Sequence, residues 1–508
     1  MVEPQTTLRR PLGAVALGEG LVEFRVWAPA ASSVAARVGG LEHELAAAGG
    51  VWEGEVAAEP GDDYLYVLDG GRAWPDPCSR FQPEGIRGPS RIVDTRRLVR
   101  RTDGWDGLEL SELVVYELHI GTFTPEGTFE AAIPHLRGLR DLGVTAVELM
   151  PVATFPGERG WGYDGVYAYA PHPAYGGPEG LARLVEAAHA AGLGVILDVV
   201  YNHLGPGSEA VGAFGPYFTD RYHTFWGDAI DFSRAGVREW AIQNACTWVG
   251  DYRIDGLRLD AVHAIFDESP THVCAELADR VREANPRALV ISETAIDDPR
   301  PVEAWGHDAQ WSDDFHHALH VLLTGERDGY YAPFGRVAHL ARALERTPPE
   351  RYVVCTQNHD QVGNRAAGDR PPHTLLATIC LLFAPQTPLL FQGQEYGERN
   401  PFQFFTDHID PAIAEATRVG RRREFAEFAG FTAEDVPDPQ ALDTFGRSKL
   451  SRQGEPDLRE LCAELIRLRR ELPREVETEV DEDARILRVR RGPVELVADF
   501  RQMTAELR

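Results

Sequence analysis

GVILDVVYNH (194–203) opens with an apolar run and closes on Asp, Tyr, Asn and His. A strand that opens apolar is buried, and polar groups at its end cost desolvation unless something pairs with them. The same form recurs along the chain. LVVYELHIGTF (113–123), AVELMP (146–151), GLRLDAV (256–262), ALVISET (288–294), AQWSDDF (309–315), VVCTQNHD (353–360) and PLLFQGQEYG (388–397) are further short apolar runs. Helix candidates such as EGLARLVEAAHAAG and THVCAELADRVREAN separate them. Strands alternating with helices imply βαβ units and a parallel sheet. Eight such strands within residues 110–474 fit a closed (β/α)₈ barrel of the α/β class better than an open sheet. In that fold the strand ends converge on one rim, so the polar ends predict one site.

Outward from the barrel the texture changes. Residues 1–100 alternate apolar and polar positions in GLVEFRVWAPAASSVAARV and YLYVLDG, with Gly, Pro and Asp turns between them, and predict an N-terminal β-sandwich. The helix LRELCAELIRLRRELP closes the barrel near residue 474, and 475–508 read as a small C-terminal β-rich segment.

Composition excludes several classes. Net charge is −28, which disfavours nucleic acid and anionic membranes as partners and sits well with a neutral substrate. No apolar stretch is long enough to span a bilayer. MVEPQTTLRRPLGAV has no signal-like apolar core, and six scattered cysteines without a CxxC pair read as free thiols in a reducing compartment, so a cytoplasmic location is expected. Neither HExxH nor GxxxxGK[ST] occurs, and no cofactor or metal is called for. GWGYDG (160–165) matches GxGxxG, but VYAYAPHPAYG follows it where a dinucleotide site needs a helix. The loop is expected to hold Trp161 and Tyr163 over a sugar face, with packed core as the alternative for Trp161.

The chemistry rests on carboxylates. Asp260 ends the fourth strand with Arg258 two residues before it on the same face, an arrangement that keeps the acid ionised, as a nucleophile must be. Glu293 ends the fifth strand, where a neighbouring acid and partial burial would favour the protonated form of a general acid. Asp360 ends the seventh beside His359. Acids on adjacent strands can stand about 5–5.5 Å apart, the separation of a retaining glycosidase.

DVVYNH (198–203), GLRLDAVHAI (256–265), ISET (291–294) and QNHD (357–360) resemble the four sequence regions of the α-amylase family, in its order and at its spacing. The resemblance implies that Asp260 is the nucleophile, Glu293 the acid/base and Asp360 the carboxylate that binds and distorts the sugar ring. It further implies that Arg258 holds Asp260, Asp198 supports the rim, and His203 and His359 bond sugar hydroxyls. It places Tyr163 at the cleavage subsite and His263 on the leaving-group side. Some members bind calcium near the position of Asn202, though no dense acid cluster requires it here. One departure is Ala295, where an Asp is expected near Glu293.

ELHIGTFTPEGTF (117–129), WSDDFHHALHVLLTGERDGYY (311–331) and NPFQFFTDHID (400–410) are most similar to the maltooligosyltrehalose trehalohydrolase branch. That implies hydrolysis of the α-1,4 bond next to a terminal trehalose unit, with a trehalose-forming enzyme as metabolic neighbour. Trp311, Asp313, Asp314, Phe315, His316 and the FQFFTDH loop are the expected pocket. The alternatives are a glycogen branching enzyme, a transferase on the same scaffold, and a non-catalytic glucan-binding barrel.

Overall fold

The computed structural model describes residues 8–98, 102, 104–224, 227–295, 298–425 and 436–508. Eight parallel strands close the barrel: β1 (Val115–Leu118), β2 (Ala146–Leu149), β3 (Gly194–Val199), β4 (Gly256–Leu259), β5 (Leu289–Ser292), β6 (Ala309–Trp311), β7 (Tyr352–Cys355) and β8 (Thr387–Phe391). β1 pairs with β8 through Val115 and Leu389, which completes the ring. All eight apolar runs of the sequence supply a strand, because a barrel strand is covered on both faces and needs no alternation. Leu113, Ile196, Leu289, Ile291 and Val353 fill the interior.

Helices pack outside the ring, among them α1 (Phe129–Leu142), α2 (Gly177–Ala190), α3 (Ala235–Gly250), α4 (Val273–Ala284) and α5 (Asp313–Thr324). α1 shows how locally they are specified. The Thr128 hydroxyl accepts from the Ala131 N–H at its start, and Gly143 ends it at φ 107°, a left-handed conformation that glycine adopts without a Cβ penalty. Among the described residues, β5 and β6 are joined with only a four-residue helix, Arg300–Glu303, between them. The final helix, Pro456–Glu471, returns to pack on α1.

Before the barrel stand two antiparallel sheets. One orders Gly13–Gly18, Leu21–Trp27, Val51–Ala57 and Ala46–Ala48; the other holds Leu41–Glu44, Val34–Val38, Asp63–Leu68 and Ala73–Trp74. Trp27 leaves this module and lies against α3. A Cβ at Gly236 would come within 2.2 Å of its indole, and Tyr217 meets the ring edge-on at 5.3 Å. A four-stranded antiparallel sheet, Glu477–Leu507, follows the last helix. Its buried Arg491 donates to the backbone carbonyls of Phe383 and Ala384 at the end of a barrel helix. No described helix is long and apolar enough to cross a membrane.

Candidate active site

The rim is organised around one side chain. Arg258 points from β4 into the barrel mouth and is fully buried. Its Nη1 donates to Asp198 Oδ2 at 2.6 Å and to Asp260 Oδ1 at 2.9 Å. Its Nη2 lies 2.8 Å from Glu293 Oε2. The guanidinium face rests on the Trp311 ring, with Cζ 4.2 Å from the centroid. A planar fork can serve several carboxylates at once in fixed directions, which the flexible lysine ammonium does not provide. Asp260 and Glu293 therefore face the same space.

Each acid has a second anchor. The Asn202 amide donates to Asp260 Oδ2 at 2.6 Å and to its backbone carbonyl at 3.0 Å. The Ala261 N–H donates to Glu293 Oε2 at 2.9 Å, and Ala261 holds φ 42° to present it. Glu293 thus sits between the Arg258 cation and a backbone N–H. Burial pushes the Asp198 carboxyl up to about 7 against the pull of Arg258.

Asp260 and Glu293 each lie one residue beyond their strands. Asp360 does not end β7. It sits in the first turn of a short helix, His359–Gly363, whose start is capped by Asn358 accepting from the Gln361 N–H. Its Oδ1 accepts from Asn364 at 2.9 Å and its Oδ2 lies 3.4 Å from His359 Nε2.

The predicted sugar contacts divide. Tyr163 is partly exposed at the mouth; its hydroxyl donates to Asp198 at 2.6 Å and lies 2.7 Å from His359 Nε2. His263 is exposed on the short turn after Asp260. Asp313, at the start of α5, is held up to about 7 by burial and by the charges of Glu293 and Asp360. Trp161 is 5% exposed, stacks on Phe402 at 5.2 Å and donates to the Gln403 carbonyl, so the packed-core alternative holds for it. His203 has Nε2 on the Tyr163 carbonyl and Nδ1 against Asn202, and burial pushes it down to about 4, so it braces the loop. His359 is 1% exposed with both nitrogens engaged. Asp314 turns to Ser312 and Arg346.

Phe315 is the clear correction. It is fully buried in the main core, because a helical step of two residues from Asp313 turns the side chain away from the rim. Phe315→Ala therefore lowers unfolding free energy by about 3–5 kcal/mol in denaturant titrations while leaving KM unchanged. His316 is equally buried.

Asp313 gives a pH signature. Its ordinary value is 3.8, and the folded protein keeps the proton to about 7. Folding thus takes up a proton between those values, and stability is lost as pH rises through that window. Asp313→Asn is expected to raise Tm relative to the unsubstituted protein at pH 8 and to leave the difference near zero at pH 4. A constant difference across pH would refute this.

Sequence reasoning missed Glu117 and Asn202 as holders of the site. Glu117 carried a usable signal: a charged residue inside the apolar run LVVYELHIGTF must have a buried partner. Among the described residues no group of three or more His, Cys, Asp or Glu could hold a metal ion.

Eight parallel strands in a closed ring, with three acids at their C-terminal rim, define a barrel glycoside hydrolase of the α-amylase class. The family model for the alpha amylase catalytic domain matches residues 92–226. The chain is 44% identical to a malto-oligosyltrehalose trehalohydrolase of Deinococcus radiodurans over 504 aligned residues, covering 92% of this chain and 84% of that protein. It is 41% identical to the enzyme of that name from Saccharolobus solfataricus, covering 90% and 86%. A crystal structure described as an alpha amylase from Salmonella typhimurium superposes with a TM-score of 0.88 at 39% identity, covering 96% of this chain and 92% of that one. The chain belongs to the malto-oligosyltrehalose trehalohydrolase family.

Proposed function

We propose that this enzyme hydrolyses the α-1,4 bond next to the terminal trehalose unit of maltooligosyltrehalose, releasing trehalose and a shortened maltooligosaccharide with retained configuration. The observation that carries the reading is the pair Asp260 and Glu293 on one guanidinium, facing one space at the rim, together with the family named above. Glu293 donates a proton to the glycosidic oxygen while Asp260 attacks C1. The trehalose leaves as the glycosyl ester forms. Water, giving its proton to Glu293, then displaces Asp260. Asp360 binds the ring being cleaved, and Tyr163, Asp313 and His263 line the cleft. The physiological partner is the enzyme that builds the terminal trehalose linkage, and the six unbridged cysteines, mostly buried, fit a cytoplasmic setting.

Incubation with maltotriosyl-trehalose and with amylose tests this. Trehalose release with an initially α-configured reducing end is expected. New α-1,6 branches without trehalose would identify a branching enzyme, binding without turnover a glucan-binding barrel, and an initially β-configured product would remove the nucleophile role from Asp260.

A further inference from the structure

Two acids outside the reaction lie inside the barrel beneath the site. Glu117 on β1 and Glu148 on β2 are register partners, so both point inward, and each is 1% exposed. A buried carboxylate without a partner costs several kcal/mol. Glu148 has no hydrogen-bond partner on either oxygen, and burial beside Glu117 pushes its carboxyl well up. Glu117 is different. Its Oε1 lies 2.5 Å from His359 Nδ1 and its Oε2 accepts the His359 backbone N–H at 2.9 Å.

The hydrogens on this chain can be counted. The single Tyr163 hydroxyl proton goes to Asp198 Oδ2 at 2.6 Å, so towards His359 Nε2, 2.7 Å away, the oxygen is an acceptor. Nε2 must then carry a hydrogen. Nδ1 faces a carboxylate oxygen and must carry one as well. Tyr163 also stacks on His359, with ring centroids 5.0 Å apart and 27° between planes, so the imidazole sets the height and tilt of the phenol.

We infer that Glu117 is a positioning residue, which holds His359 as a donor at both nitrogens and so fixes the direction of the chain Glu117–His359–Tyr163–Asp198 and the place of Tyr163 in the cleft. The role of that cleft rests on the function proposed above. Electrostatics agree. Burial opposes charge on His359, but Asp360 and Glu117 outweigh it and hold the imidazole up to about 10. Arg258 from β4 opposes them; Glu148 from β2, Asp198 from β3 and His119 beyond β1 face the ring as well, and burial, helped by the charge on His359, holds His119 down to about 4.

The test uses full-length enzyme, with Glu117→Gln, His359→Gln and the double variant assayed on maltotriosyl-trehalose. In parallel, ¹⁵N-histidine spectra read the protonation of His359. Glu117→Gln is expected to lower kcat at least about tenfold with KM changed less than about threefold, as loss of a placed polar group does. Its His359 should move from doubly protonated to a single tautomer near neutral pH. In the His359→Gln background the same change should cost no more than about twofold, since both act through one side chain. An equal penalty in both backgrounds, or a His359 still doubly protonated without Glu117, overturns the inference. Should Glu117→Gln fail to fold, the unsubstituted enzyme decides: a neutral His359 ring at pH 8 overturns it, a doubly protonated one upholds it. If the enzyme releases no trehalose, the functional proposal fails while these spectra still decide the role of Glu117.

Discussion

Arg258→Leu is expected to cost the fold about 3–5 kcal/mol and to leave less than about a thousandth of the activity. The guanidinium is buried and touches Asp198, Asp260 and Glu293. Without it three carboxylates confront one another in a site largely closed to water, and the stacking against Trp311 is lost as well. Repulsion then either protonates the acids or drives them apart, and a displacement of about 1 Å at a reacting group costs roughly 10²-fold. Arg258→Lys should recover little, because a point charge on a flexible stem cannot meet three acids in one plane. Denaturant midpoints and kcat measure both parts. A variant within about 1 kcal/mol of the parent and within about tenfold of its rate would end the claim that one cation organises the rim.

Glu293→Gln carries the second large effect. The amide matches the acid in size and can still lie near Arg258 and the Ala261 N–H, so binding should survive. It cannot deliver a proton to the glycosidic oxygen, nor take one from water in the second step. Loss of a general acid costs about 10²–10⁴-fold, and here one group serves both half-reactions, so kcat should fall by at least about 10³-fold with KM within a few-fold. A leaving group that needs no proton separates the two steps: with an aryl glycoside the first half-reaction should proceed and the glycosyl enzyme accumulate as an added mass on Asp260. Unchanged turnover of the natural bond would remove Glu293 from its role.

Much of this architecture is legible in the sequence, and the reasons are physical. Barrel strands sit between an interior and a shell of helices, so all eight read as apolar runs. Their functional ends read as polar residues that a buried strand has no structural reason to hold. Asp260 and Glu293 follow directly, since each lies one residue past its strand. Asp360 is less direct, because the run VVCTQNHD hides the point where Asn358 turns extended chain into helix. WSDDF misleads in another way. Its acids and its phenylalanine look alike as rim residues, until helical periodicity sends Phe315 inward. His203 and Trp161 depend on partners 40 and 242 residues away, the Tyr163 and Gln403 carbonyls, and no local pattern reveals those. Glu117 and Glu148 stand apart again. A charge inside an apolar run signals that Glu117 has a buried partner, but which partner it takes depends on strand pairing and on the remote His359, which the run itself does not show.

Trp27 has a consequence for how the enzyme behaves as a body. Its indole occupies a slot floored by glycine at the first turn of α3, so the leading module is keyed into the barrel and does not hang from a tether. Heat should therefore melt both in a single calorimetric transition, and any saccharide grasped by the leading module would reach the catalytic mouth at a set distance and angle, like work held in a vice.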